Sequence, residues 1–93
     1  MIRVHVRYCA QARVAAGVEE EEVALENACP LADVLVKVSQ SRGEALSRVL
    51  LGGNSRPHPS LLLFVDGEQV SLNSTQNVKD GEVIEIVPPM SGG

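Results

Sequence analysis

The sequence predicts an α+β domain in which one main helix lies across a single mixed sheet. Three observations predict it. The chain opens on a clean two-residue alternation, Ile2-Arg3-Val4-His5-Val6-Arg7-Tyr8, which is the period of a half-buried strand. It closes on a second alternating run, Val83-Ile84-Glu85-Ile86-Val87. Between them Leu31, Val34, Leu35 and Val38 recur at helical spacing and form one apolar stripe.

The elements follow in order. In the opening strand Ile2, Val4, Val6 and Tyr8 take one face, and Arg3, His5 and Arg7 take the other. AQARVAAG, residues 10–17, reads as a short helix stopped at Gly17, a C-cap. VEEEEVAL, residues 18–25, reads as a strand whose glutamates place it at the outside of the sheet with solvated charges. Pro30 suits the first turn of the main helix, where its missing N–H costs nothing, and Asp33 suits the positive end of the helix dipole. Gly43 ends or interrupts that helix, and residues 44–51 form a second helical piece with Leu46, Val49 and Leu50 inward. GGNSRPHPS, residues 52–60, is loop by composition. LLLFV, residues 61–65, is a buried strand, Asp66-Gly67 turns it into the next, and Asp80-Gly81 makes another turn. In the last strand Ile84 and Ile86 face the core, while Val83, Glu85 and Val87 face away.

The two N-terminal strands should pair antiparallel. The helical segment supplies the crossover that lets the last strand lie centrally and parallel to the first. Arg3 and Arg7 should then lie near Glu85. This order is that of a β-grasp (ubiquitin-like) roll, with residues 1–87 as the domain and 88–93 as an extended Gly-Gly tail.

Composition narrows the function. Ninety-three residues, 44% of them hydrophobic, suffice for one small folded domain. Aromatics are 2%, so the core is built from Val, Leu, Ile and Ala, and Tyr8 and Phe64 alone could stack on bases. A net charge of −4 and a pI near 5.0 argue against nucleic acid as a partner. Cys9 and Cys29 match no metal or redox spacing and are expected free, in a reducing compartment. His5 and His58 have no ligand-spaced neighbours and read as surface residues, and no metal site is expected. Gly52-Gly53 lacks the Lys-Ser/Thr of a phosphate loop, and no local Ser-His-Asp or Cys-His motif is visible. Glu19 to Glu22 is a solvated acidic face or a complement to a basic partner. No signal-peptide pattern or bilayer-spanning run is present, so a soluble cytoplasmic protein with no membrane partner is expected.

The ending, VPPMSGG, residues 87–93, carries the functional signal. Pro88 and Pro89 cannot donate ladder hydrogen bonds and favour an extended backbone leading away from the sheet. Met90 and Ser91 continue it, and Gly92 and Gly93 make a thin tip that can thread a channel where a side chain would clash. A bare carboxylate is unreactive, so acyl chemistry at Gly93 needs activation by a partner. A frayed end or an appended remnant is the competing reading. Val87 and Met90 are candidate anchors for a partner.

At these residues the chain resembles the MoaD-like branch of the ThiS/MoaD sulfur carriers, the small subunits of molybdopterin synthase. IRVHVRYCAQARVAAG, PLADVL, LLLFVDGEQV and VKDGEVIEIVPPMSGG carry the resemblance, and Pro-Pro-x-x-Gly-Gly is its most specific part. The sequence departs from the family in its long 52–60 loop and at Cys9 and Gln69, where members often carry larger apolar contact residues. The resemblance implies a carrier that binds no cofactor of its own. An E1-like enzyme would use ATP and Mg²⁺ to adenylate Gly93, and a sulfur donor would convert it to a thiocarboxylate. With Gly92 as the slender penultimate residue, and Val87, Pro88, Pro89, Met90 and Ser91 against the partner, the tail would enter the large subunit of a heterotetramer. There it would give sulfur to precursor Z (cyclic pyranopterin monophosphate), and catalysis would reside in the large subunit. The alternatives are a sulfur carrier for thiamine or tRNA thiolation, a ubiquitin-like modifier joined to lysine, or a binding module with an idle tail.

Overall fold

The computed structural model describes residues 1–52, 56–73 and 76–89. Strand β1 (Ile2–Tyr8) leads through helix α1 (Gln11–Ala16) to β2 (Glu20–Leu25). Helices α2 (Leu31–Arg42) and α3 (Glu44–Leu50) follow, then β3 (Leu62–Val65), β4 (Glu68–Val70) and β5 (Val83–Val87). The strands form one sheet in the order β2-β1-β5-β3-β4. β1 pairs antiparallel with β2 and parallel with β5, and β5 pairs antiparallel with β3. The last strand is therefore central, and the mixed β-grasp roll expected from the sequence is the fold found.

Alternation sorts the sheet into two faces. Val4, Val6, Tyr8, Ile84, Ile86 and Leu63 are buried on the helix side. The α2 stripe meets them: Val34 and Leu35 are fully buried, and Leu31 and Val38 nearly so. Gly43 breaks the helical run, and α3 folds back with Leu46 and Leu50 in the core. The two helices are tied by polar groups. The Ser39 hydroxyl donates to the Leu35 carbonyl at 2.8 Å, and the Ser47 hydroxyl donates to the Ser39 carbonyl at 3.0 Å. Ser39 is thereby buried without an unsatisfied oxygen.

Two junctions set where the central strand starts and stops. At the β3–β4 hairpin Asp66 and Gly67 both have positive φ, 51° and 85°, as a type I′ turn requires. Asp66 also binds the start of β5: its N–H donates to the Val83 carbonyl at 2.8 Å, and its carboxylate accepts from the Val83 N–H at 2.9 Å. At the β1–α1 junction Ala10 has φ 53° and ψ −127°, a region that a Cβ atom makes costly. Replacing Ala10 with Gly should remove that strain and stabilise the domain by about 1 kcal/mol net of the extra chain entropy of glycine. Calorimetry should then show Tm rising by about 4–8 °C. An unchanged or lower Tm would mean that the turn stores no strain.

Candidate functional site: where the central strand meets the tail

The candidate site is the C-terminal end of β5, because the sequence places the tail there. On the open face Val87 lies opposite Leu62, and the next row sets Glu85 between Arg7 and Phe64. Phe64 in turn faces Gln69 on β4. Leu62 is 46% exposed, and Val87 and Phe64 are half-buried. These three make a small apolar corner at the point where the chain leaves the sheet.

The rest of the open face is charged and internally paired. Arg3 lies 3.3 Å from Glu22, Arg7 3.5 Å from Glu20, and His5 3.0 Å from Glu20. Of the two arginines expected near Glu85, Arg7 is there and Arg3 is not, because the β1–β5 register begins at His5. Arg7 does sit beside Glu85 in the register, but the arginine side chains are drawn to β2, whose outward glutamates repeat at the same spacing. A shallow depression of about 320 Å³ lies at the far end of this face, lined by Arg3, Val4, His5, Glu22, Asp80 and Gly81. It lies by the start of β5, at the opposite end of that strand from Val87.

The tail-proximal residues separate into three groups. Val87 faces outward, as expected. Pro88, expected to lead away from the sheet, is instead buried, and Pro89 is half-buried. The physical reason is alternation: after Ile84 and Ile86, position 88 is the next that points to the core. Met90, Ser91, Gly92 and Gly93, expected to form the rest of the tail, lie outside the described residues. Cys9 is half-buried beside this end, and its N–H donates to the Ile86 carbonyl at 3.1 Å.

A second feature escaped the sequence reading. Glu21 is not a solvated member of the acidic run: it turns to the helix side, where its carboxylate accepts a hydrogen bond from the Tyr8 hydroxyl. It also takes a two-point contact from Arg42 at 2.8 and 2.9 Å. The inward phase of Val23 and Leu25 was the signal that could have found it. The Arg42 contact holds the Glu21 carboxyl below its usual range, aided by the Tyr8 hydrogen bond and opposed by burial. Burial and the Glu21 charge push the Tyr8 hydroxyl up.

A group with a depressed folded pKa stabilises above its unfolded pKa, and that contribution is lost as pH falls through the folded value. Glu21→Gln should therefore cost about 1–2 kcal/mol near neutral pH. The lower end is favoured because the Arg42 side chain is 31% exposed. The variant should also lose less stability than the parent when pH is lowered from about 7 to about 3. Denaturant melts at both pH values check this, and equal acid sensitivity in the two proteins would refute it.

Both cysteines are free. Burial, with Asp33 nearby, pushes the Cys29 thiol up, a shift that disfavours the thiolate. Among the described residues no group of three or more His, Cys, Asp or Glu could hold a metal ion. Among them also, no helix is long and apolar enough to cross a membrane.

The chain is similar to several proteins of known structure. A putative molybdopterin converting factor subunit 1 from Pyrococcus furiosus is 28% identical, with TM-score 0.74, covering 97% of this chain and 100% of its own. The small archaeal modifier protein 1 of Methanosarcina acetivorans is 27% identical, with TM-score 0.79, covering 100% of this chain and 98% of its own. The complex of subunits 1 and 2 of the molybdopterin-converting factor from Helicobacter pylori contains a chain 22% identical, with TM-score 0.59, covering 99% of this chain and 100% of its own. That last likeness speaks to the fold alone. No curated protein matches the sequence significantly. The ThiS family profile spans residues 6–93, nearly the whole chain including the Gly-Gly ending, and the chain belongs to this family of ThiS/MoaD sulfur carriers.

Proposed function

We propose that this chain is the sulfur-carrying small subunit of a molybdopterin synthase. The observation that carries the reading is the Pro88-Pro89-Met90-Ser91-Gly92-Gly93 ending issuing from the central strand beside the Leu62–Val87 pair. An E1-like enzyme, using ATP and Mg²⁺, would join the Gly93 carboxylate to AMP and release pyrophosphate. A sulfur donor would displace AMP and leave a thiocarboxylate. In the large subunit that sulfur would attack the pterin precursor, precursor Z, and water would cleave the acyl–sulfur bond, restoring the Gly93 carboxylate. Charge and polarisability favour sulfur over oxygen as the attacking atom.

The tail residues would occupy the large subunit's channel, with Gly92 and Gly93 at its narrowest part, while Val87, with Leu62 beside it, would meet the surface around the channel mouth. Pro89, Met90 and Ser91 would line the entry, with Pro88 at its base. The Pyrococcus likeness supports the molybdopterin pathway, and the Helicobacter complex supplies the precedent for a subunit 1 seated on a subunit 2. A heterotetramer of two small and two large subunits fits this reading, with the chain in the cytoplasm.

A second reading has its own support. The Methanosarcina relative is named a modifier protein, and the same activated Gly93 could pass to a lysine amine instead of to sulfur. Sibling sulfur pathways, for thiamine or tRNA, share the tail chemistry.

The test is capture from the source cells on an N-terminal tag, with Gly93 left free, followed by intact-mass analysis. A mass gain equal to oxygen replaced by sulfur at the C-terminus, with a molybdopterin synthase large subunit in the eluate, is the expected result. A ladder of lysine adducts without that mass gain would move the chain to the modifier reading. Co-purification with thiazole-forming or tRNA-thiolating enzymes would move it to a sibling pathway.

A further inference from the structure

Pro88 was expected to be part of a stalk leading away from the fold. Its burial gives it a different position. Three observations meet there. The β3–β5 register ends at Leu62↔Val87. Continued by one residue, it sets Pro88 opposite Leu61, which is 8% exposed. On the other side β1 stays paired past Tyr8, because the Cys9 N–H reaches the Ile86 carbonyl. The chain can then turn into α1 only through the strained Ala10 backbone. Helix α1 packs against both β1 and β5. The end of β5 is therefore bracketed on both sides, with a core-facing place at position 88.

We propose that Pro88 is a positioning residue: its ring, seated in the core beside Leu61 and the β1–α1 junction, clamps the root of the tail and so sets the point from which residues 89–93 extend. The inference rests on the reading of Gly93 as the loaded end. Clamping matters because each residue left free must be ordered again whenever the tail enters a partner. From the seat, the five residues 89–93 reach about 17 Å when extended. That sets the greatest depth at which a partner can receive Gly93 while touching the domain. The two prolines thus have different tasks. Pro88 fixes the root through burial, and Pro89 stiffens the exit through its own φ.

The test compares Pro88→Gly, Pro88→Val and Pro89→Gly in the whole chain. Val keeps an apolar, extended-favouring side chain in the seat, and the two glycine variants carry the same intrinsic change in chain entropy. The first readout needs no partner: amide exchange at Cys9 should rise about tenfold in Pro88→Gly and stay at the parent rate in Pro88→Val and Pro89→Gly. The second is ATP–pyrophosphate exchange with the E1-like enzyme of the same cells, using labelled pyrophosphate. There kcat/KM should fall about 5- to 30-fold further in Pro88→Gly than in Pro89→Gly, mainly through KM, and Pro88→Val should restore it.

Equal effects of the two glycine variants on Cys9 exchange would overturn the clamp. So would a Pro88→Val protein as defective as Pro88→Gly, since stiffness rather than burial would then be what matters. If exchange activity survives loss of Gly93, the carrier reading fails instead, and the Cys9 amide alone decides the clamp.

Discussion

Deleting Gly93 should abolish sulfur transfer outright and leave Tm where it was. Ile84 and Ile86 are fully buried, the sheet register closes at Val87, and Pro88 is the last buried residue among those described. Gly93 is six positions beyond Val87 in the sequence and has no side chain to bury, so its removal is expected to change stability by no more than about 0.5 kcal/mol, as for surface changes generally. Under the carrier reading the chemistry depends on that residue entirely. Adenylation requires a carboxylate at the place the activating site expects. With Gly92 last, the carboxylate falls short by one residue, about 3.5 Å, a displacement far larger than reacting groups tolerate. The measurement is thiocarboxylate formation with the cognate activating enzyme, beside a thermal melt of the same sample. Retained transfer with an unchanged melt would sink the carrier reading, whereas lost transfer with a lowered Tm would show that the tail is part of the fold.

How much of this was legible in the sequence depends on whether a residue's neighbours repeat. The phase of β1 and β5 could be read because apolar and polar residues alternate strictly there. The α2 stripe could be read because four apolar residues keep helical spacing. Leu62 could not be placed. In an unbroken apolar run no residue marks the phase, and the register alone turns it to the open face beside Val87. Glu21 was hidden for the converse reason: four consecutive glutamates carry no alternation, so the one that meets Arg42 and Tyr8 looks like its neighbours. Ala10 adopts a backbone suited to glycine, and nothing in its identity signals that. Pro88 was misdirected by its own chemistry. Proline ends ladder pairing, but the end of pairing does not end burial, and the side-chain phase of β5 runs one residue further. The Pro-Pro-x-x-Gly-Gly ending stands out as a pattern in the sequence, and the family match runs through it.

Leu35→Ala should be the most damaging single truncation in the helix layer, costing about 2–5 kcal/mol. Leu35 is 0% exposed, in the middle of α2, on the stripe that covers the sheet. The core around it has little capacity to collapse into the space left. With 2% aromatic residues, it is made of branched aliphatic side chains, and neighbouring Val34 has one dominant helical rotamer. A cavity here should persist, and the cost should approach the upper half of the range. A domain of this size has a total stability of about 5–14 kcal/mol, so the loss is a large fraction of it, and Tm should fall by about 10–30 °C. Leu62→Ala provides the matched control. It removes the same atoms from a side chain that is 46% exposed on the other face, and should cost under about 1 kcal/mol. Under the carrier reading the two variants should also part in function. Leu62→Ala, folded and stable, should weaken docking to the large subunit, because it truncates the most exposed of the three residues in the apolar corner. Leu35→Ala should dock normally at temperatures where it remains folded. If the two cost the same stability, the assignment of the sheet's faces is wrong; if Leu62→Ala docks as well as the parent, the apolar corner is not the contact surface.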